Sequence, residues 1–204
     1  MATLGALIEY GVATQAMPGQ TALGDAYVAQ PVPEGMLVAV MDGLGHGEEA
    51  ATAARIATAA LESCPPQSVV SMLKHCHERL LGTRGVVMSL ALLNETDGTL
   101  TWVGVGNVEG WLLRGDATAI PTQESLLLRG GVLGSQLPPP YASIIPLMKG
   151  DTLIFATDGI RNGFPQEVNL SDPPQKIADA ILAKHNKKTD DALVLVVRYR
   201  GSAS

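Results

Sequence analysis

Uninterrupted apolar runs, rather than alternating ones, dominate the pattern along this chain. Met36–Met41 reads MLVAVM, Asp151–Thr157 reads DTLIFAT and Ala192–Tyr199 reads ALVLVVRY. Short runs of this kind predict strands buried on both faces. Val86–Asn94 (VVMSLALLN) and Leu100–Gly106 (LTWVGVG) predict two more strands, joined by a hairpin turn at Asp97-Gly98. Trp111–Arg114 and Ala117–Pro121, separated by Gly115-Asp116, predict a further hairpin. Asp25 follows Gly24 and opens the segment AYVAQ.

Helical signal is confined to three stretches. Glu48–Glu62 is rich in alanine and holds no Gly or Pro. A second helix is predicted over Gln67–Leu81, with Pro65-Pro66 at its start. A third is predicted over Pro174–Lys184, with Ile177, Ala180, Ile181 and Ala183 on or near one face. Gly130-Gly131, Pro138-Pro139-Pro140 and Pro173-Pro174 mark loops. The order is strands, two consecutive helices, hairpin strands, one helix and a last strand. It lacks the regular strand–helix alternation of a parallel sheet, and favours an α+β layered domain with largely antiparallel sheets. No linker or repeat divides residues 1–204, so one domain is expected.

Composition narrows the function classes. Hydrophobic residues make up 46% of the chain and aromatics only 4%, so a sizeable core must be built from aliphatic side chains. The net charge of −6 carries no basic footprint for nucleic acid or a membrane surface. The beginning, MATLGALIEYG, has neither the positive region nor the long apolar stretch of a signal peptide. Cys64 and Cys76 do not make a disulfide framework, and a reduced, cytoplasmic protein is expected.

Chemistry is suggested by where the aspartates fall. The run MLVAVM leads into Asp42-Gly43, DTLIFAT leads into Asp158-Gly159, and Asp190-Asp191 immediately precedes ALVLVV. A single Asp-Gly is usually a turn. Several carboxylates at the ends of buried strands can converge at one rim, where they would repel one another unless a cation were bound. All-oxygen donors suit Mg²⁺ or Mn²⁺. The glycine-rich stretch Asp42–Ala50 contains His46, a candidate proton donor, and lacks the Lys-Ser/Thr of a Walker A loop. His75-Cys76-His77 reads as helix surface, because residues two apart on a helix cannot readily clamp one ion. Ser89 and Ser125 have no G-x-S-x-G context.

In chain order the sequence carries G-D-A-Y-V (Gly24–Val28), M-D-G-L-G-H-G (Met41–Gly47), G-N-V (Gly106–Val108), L-G (Leu133-Gly134), A-T-D-G-I (Ala156–Ile160) and D-D-A-L-V-L-V-V (Asp190–Val197). This ordered set resembles the metal-dependent protein phosphatase (PPM) family, in particular its small bacterial SpoIIE-like branch. The stretch PGQTALGDAY resembles the stressosome phosphatases of that branch. The resemblance implies a four-layer αββα sandwich of two largely antiparallel sheets, with two divalent ions, Mn²⁺ or Mg²⁺, at one edge. It implies serine/threonine phosphoprotein hydrolysis by a metal-activated water, acting on phosphorylated STAS-type stressosome proteins.

Carried over by position, Asp42 would bridge both ions and Gly43 would offer its carbonyl to one. Asp158 and Asp190 would complete the second ion, and Asp25 would act directly or through water. Asp191 and Asn107 would stand behind the ligands, with an Asp190–Asp191 exchange left open. His46 would protonate the departing oxygen. The chain departs from the pattern in three places. No Arg precedes Asp25 in PGQTALGD, Gly24 stands where many relatives carry Glu, and Leu44 rather than a histidine follows Asp42-Gly43. A phosphoprotein-binding module of the same fold, weak or inactive as an enzyme, is the alternative.

Overall fold

The computed structural model describes residues 7–20, 22–65 and 67–201. Two sheets form its centre. The first has strand order β1 (Ile8–Gln15), β11 (Ala192–Tyr199), β10 (Thr152–Ala156), β6 (Glu109–Leu113) and β7 (Gln123–Ser125). The second runs β2 (Asp25–Val32), β3 (Gly35–Gly43), β4 (Val86–Asn94), β5 (Thr99–Val105) and β8 (Leu128–Arg129), with β9 (Ser143–Pro146) also paired to β5. Every pairing is antiparallel except β5 with β8. Helices α1 (Glu48–Glu62) and α2 (Val69–Arg79) cover the second sheet, and α3 (Pro174–His185) covers the first. The expected four-layer αββα sandwich is the observed architecture.

The uninterrupted apolar runs follow from this layering. Side chains of a strand alternate between faces, and here both faces are covered. Met36, Val38 and Val40 of β3 point between the sheets, where they join Trp102, Phe155 and Leu195. Leu37, Ala39 and Met41 point the other way, onto Ala53, Ala57 and Leu73 of the helices. On β11, Leu193, Leu195 and Val197 face the inter-sheet core, while Val194 and Val196 meet Ile177 and Ile181 of α3. The alanines of α1 let the helix lie close. A Cβ on Gly43 would fall 2.2 Å from the Ala50 carbonyl oxygen.

Strand β1 was not foreseen. It contributes an edge, and α3 seals it. Gln175 accepts a hydrogen bond from Val12 N–H at 3.1 Å and donates one to the Val12 carbonyl at 2.8 Å. A covered edge is protected from pairing with another chain.

Other expectations need correction. Helix α2 starts after Ser68, whose hydroxyl accepts from Ser71 N–H at 3.2 Å, so a serine cap rather than proline opens it. Pro66 lies outside the described residues, as do the first six residues, Thr21 and residues 202–204. The partner of Trp111–Leu113 is Gln123–Ser125, not Ala117–Pro121. Ile120 stands almost fully exposed and follows no strand pattern. Cys76 is not surface but core, packed under α1. His77 has a fixed partner, since its Nδ1 accepts from Gly134 N–H at 3.0 Å.

Candidate metal centre

Strand register brings the aspartates together. Asp25 and Asp42 are directly opposite each other in the β2–β3 ladder, so their side chains share a face. That face continues Met36, Val38 and Val40, and at Asp42 it runs out of the inter-sheet core to the edge. Thr157 follows β10 with the same inward parity as Leu153 and Phe155, and Asp158 turns out beside it. Asp191 shares the inward parity of Leu193.

The result is an open cleft of about 480 Å³ at the edge of both sheets. Asp42, Asp158, Asp190, Asn107 and His46 line it, together with Met17, Leu44, Val87, Val132 and Thr189. Asn107 donates to Asp158 Oδ2 at 2.9 Å and so fixes the carboxylate's orientation. Lys187 Nζ donates to the Asp158 carbonyl at 2.5 Å and holds the Asp158-Gly159 turn. His46 is exposed, on the loop that leads into α1. Gly43 is buried, and its N–H donates to the Gly24 carbonyl at 3.1 Å.

Asp25 is buried behind the cleft, at 4% exposure. Its Oδ2 accepts the Thr157 hydroxyl at 2.7 Å. The same hydroxyl accepts from Leu193 N–H at 2.9 Å. Thr157 had no assigned role in the sequence; the signal available was a hydroxyl at the end of an otherwise apolar inward face.

The adjacent pair Asp190 and Asp191 divides cleanly. Asp190 is exposed and faces the cleft. Asp191 is buried, and its two oxygens accept from Met17 N–H at 2.7 Å and Gly24 N–H at 2.6 Å. It anchors the segment that delivers Asp25. This contact also accounts for Gly24, because a Cβ there would sit 3.1 Å from Asp191 Oδ2 and 3.2 Å from the Ala50 methyl.

The electrostatics are those of carboxylates crowded in a poorly solvated place. Asp25 is pushed up to about 8, first by burial and then by Asp42, with smaller contributions from Asp191 and Asp158; the Thr157 hydrogen bond opposes this. Asp42 is pushed up to about 7, first by burial, then by Asp158, Asp190 and Asp191. Among the described residues no Lys or Arg lines the cleft. No three His, Cys, Asp or Glu side chains among them already form a closed metal cage; the carboxylates ring an open space instead. A hard divalent cation fits this donor set, since it would remove the repulsion that raises both groups.

Residues 33–200 match the family model described as Stage II sporulation protein E (SpoIIE). The chain belongs to the SpoIIE family. It is thereby a PP2C-type member of the metal-dependent protein phosphatases, in the RsbX-like branch. The phosphoserine phosphatase RsbX of Bacillus subtilis (strain 168) is 26% identical over 144 residues, which cover 70% of this chain and 69% of RsbX. Among solved structures, a chain from work on the bacterial stressosome, described as a modular system adapted to control secondary messenger signaling, is 31% identical. It superposes with a TM-score of 0.85 over 94% of this chain and 99% of its own. RsbX in complex with magnesium shares the fold at a TM-score of 0.85 and 20% identity, covering 95% of this chain and 96% of the other. Among the described residues of this SpoIIE-family chain, no helix is long and apolar enough to cross a membrane.

Proposed function

We propose that this SpoIIE-family chain hydrolyses phosphoserine or phosphothreonine on a signalling protein, with two divalent ions held by Asp42, Asp158, Asp190 and the Gly43 carbonyl. The observation that carries the proposal is the convergence of Asp42, Asp158 and Asp190 on one cleft, with Asp25 buried behind Asp42. Asp42 lies opposite Asp25 in the ladder and feels the charges of Asp158 and Asp190, and it is assigned contact with both ions. Asp25 is assigned a supporting role, direct or through water. When bound, Mn²⁺ or Mg²⁺ would lower the pKa of water toward neutrality and offset charge on the phosphoryl oxygens.

The remaining work falls to the chain itself. Asn107 and Lys187 hold Asp158 and its turn, and Asp191 holds the segment before Asp25. Leu44, Val87 and Val132 give the cleft an apolar wall. His46, exposed on the cleft wall, is assigned the proton for the departing serine oxygen. The open cleft suits a phosphorylated side chain presented by a protein surface.

The phosphoserine activity in the name of RsbX, and the stressosome origin of the 31% identical structure, support phosphorylated STAS-type stressosome proteins as the substrate class. Cys64 and Cys76 are free thiols, in keeping with work in the cytoplasm. The test is phosphate release from a phosphoserine-bearing STAS domain in Mn²⁺, Mg²⁺ or EDTA. Release that depends on metal supports the proposal; equal release in EDTA contradicts it. The absence of Lys and Arg from the described cleft lining favours one second reading, a phosphoprotein-binding module. Metal binding without any turnover would select that reading.

A further inference from the structure

A phosphate dianion approaching this cleft meets carboxylates, and no Lys or Arg is among the described residues that line it. Lys187 and Arg84 each touch a residue that lines it. Lys187 is already committed to the Asp158 carbonyl, and moving it would loosen the turn that carries Asp158. Arg84 is differently placed. It lies two residues before Val86, which pairs with Gly43, and the neighbouring Gly85 carbonyl accepts from Leu44 N–H at 3.1 Å. The chain around Arg84 is therefore pinned to the loop that forms the His46 side of the cleft.

Gly45 is the point of contact. Arg84 Nη1 lies 3.2 Å from where a Gly45 Cβ would be, so the guanidinium rests against the bare backbone of a residue that lines the cleft. Gly45 has φ +91°, a left-handed conformation that glycine adopts without strain. A larger residue at this position would meet the guanidinium, which otherwise lines a neighbouring hollow with Glu48, Glu49 and Thr52. On its outer side Arg84 is paired with Glu49, in the first turn of α1. That pair is solvent-exposed, with side-chain exposures of 57% and 69%. Exposed ion pairs are weak and readily exchanged.

We propose that Arg84 is the cationic contact for the substrate's phosphoryl group, reached across Gly45 when the guanidinium leaves Glu49. A planar guanidinium can take two phosphoryl oxygens at once, which makes the exchange of a monodentate surface carboxylate for a phosphate favourable. Glu49 then acts as the resting partner that keeps Arg84 beside the cleft. The inference rests on the phosphatase reading of the site.

The test uses the Mn²⁺-loaded protein and its Arg84→Ala, Arg84→Lys and Glu49→Gln variants. Three quantities are measured: inorganic phosphate binding by calorimetry, steady-state hydrolysis of p-nitrophenyl phosphate, and thermal melting as a check on folding. Arg84→Ala is expected to weaken phosphate binding and raise KM by about tenfold to a hundredfold, the value of a charge-assisted hydrogen bond. Its kcat should change far less, Arg84→Lys should recover part of the loss, and Glu49→Gln should tighten phosphate binding. Unchanged phosphate binding and KM in a folded Arg84→Ala protein would overturn the proposal. Absence of turnover in the parent protein would count against the phosphatase reading, while the phosphate-binding comparison would still decide the role of Arg84.

Discussion

The Thr157 hydroxyl donates to Asp25 Oδ2 at 2.7 Å, tying the end of β10 in one sheet to the start of β2 in the other. The same oxygen accepts from Leu193 N–H at 2.9 Å, so one side chain joins three strands directly beneath the candidate metal centre. Replacing it with valine keeps the shape and removes both bonds. Thr157→Val is expected to cost about 1–3 kcal/mol in urea unfolding, because it leaves a buried acceptor and a buried donor without partners. Thr157→Ser should recover most of that stability. It should also weaken Mn²⁺ binding less than Thr157→Val does.

The raised carboxylates give a pH dependence with a definite sign. Asp25 at about 8 and Asp42 at about 7 both bind a proton more tightly when folded than at the ordinary value of 3.8. Their contribution to stability is complete below that ordinary value and is lost as pH rises through 7 and 8. In EDTA, the melting temperature should therefore fall as pH is raised from about 5.5 to about 8.5. Saturating Mn²⁺ should abolish most of the fall, and Asp42→Asn should flatten it without metal. A melting temperature in EDTA that rises over this range would contradict the crowding described for the site.

Asp190 and Asp191 should fail in different ways. Asp191→Asn weakens two backbone hydrogen bonds that hold Met17 and Gly24, so its main expected effect is on stability. The loss should be about 1–3 kcal/mol, as for charged buried acceptors. Asp190→Asn touches an exposed side chain on the cleft and should leave the melting temperature of the metal-free protein nearly unchanged. Its expected effect is on Mn²⁺ affinity, read by calorimetry. The opposite assignment of effects would exchange the two roles.

Gly43 combines a close backbone approach with a proposed ligand carbonyl. A Cβ at this position would meet the Ala50 carbonyl oxygen at 2.2 Å and the Ala50 carbonyl carbon at 2.7 Å. Backbone cannot rotate aside as a flexible side chain can. Gly43→Ala should push the start of α1 away from β3 and cost about 1–3 kcal/mol or more. Thermal melting with and without Mn²⁺ measures both the packing loss and any accompanying loss of metal binding.

Much of this arrangement was legible in the chain. The doubly covered strands β3, β10 and β11 announced themselves as apolar runs because both of their faces are buried. Their terminal aspartates could be read as a set for the same reason, since a carboxylate directly after such a run must lie at the rim of the core. Less could be read where tertiary contacts outweigh local pattern. Strand β1 has exposed Tyr10 and half-covered positions, and its edge is completed by Gln175, 163 residues away from Val12. The partner of β6 was misplaced because Ala117–Pro121 has strand-like composition but no surface to pack on. The division between Asp190 and Asp191 depends on inward parity set by Leu193, and on N–H groups of Met17 and Gly24 that only the folded loop brings near. Arg84 was passed over because its relation to the cleft runs through Gly45, a residue with no side chain to mark it.

Asp42 is the residue proposed to make this cleft a metal-dependent phosphatase centre. The most direct measurement is the rate of phosphate release from a phosphoserine peptide as Mn²⁺ is titrated, for the parent protein beside Asp42→Asn. The rate is expected to rise with Mn²⁺ and vanish in EDTA for the parent, with at least a hundredfold lower maximal rate for Asp42→Asn, on the order of the loss when one group that stabilises transition-state charge is removed. Full activity in Asp42→Asn, or a parent rate indifferent to Mn²⁺, would contradict that proposal.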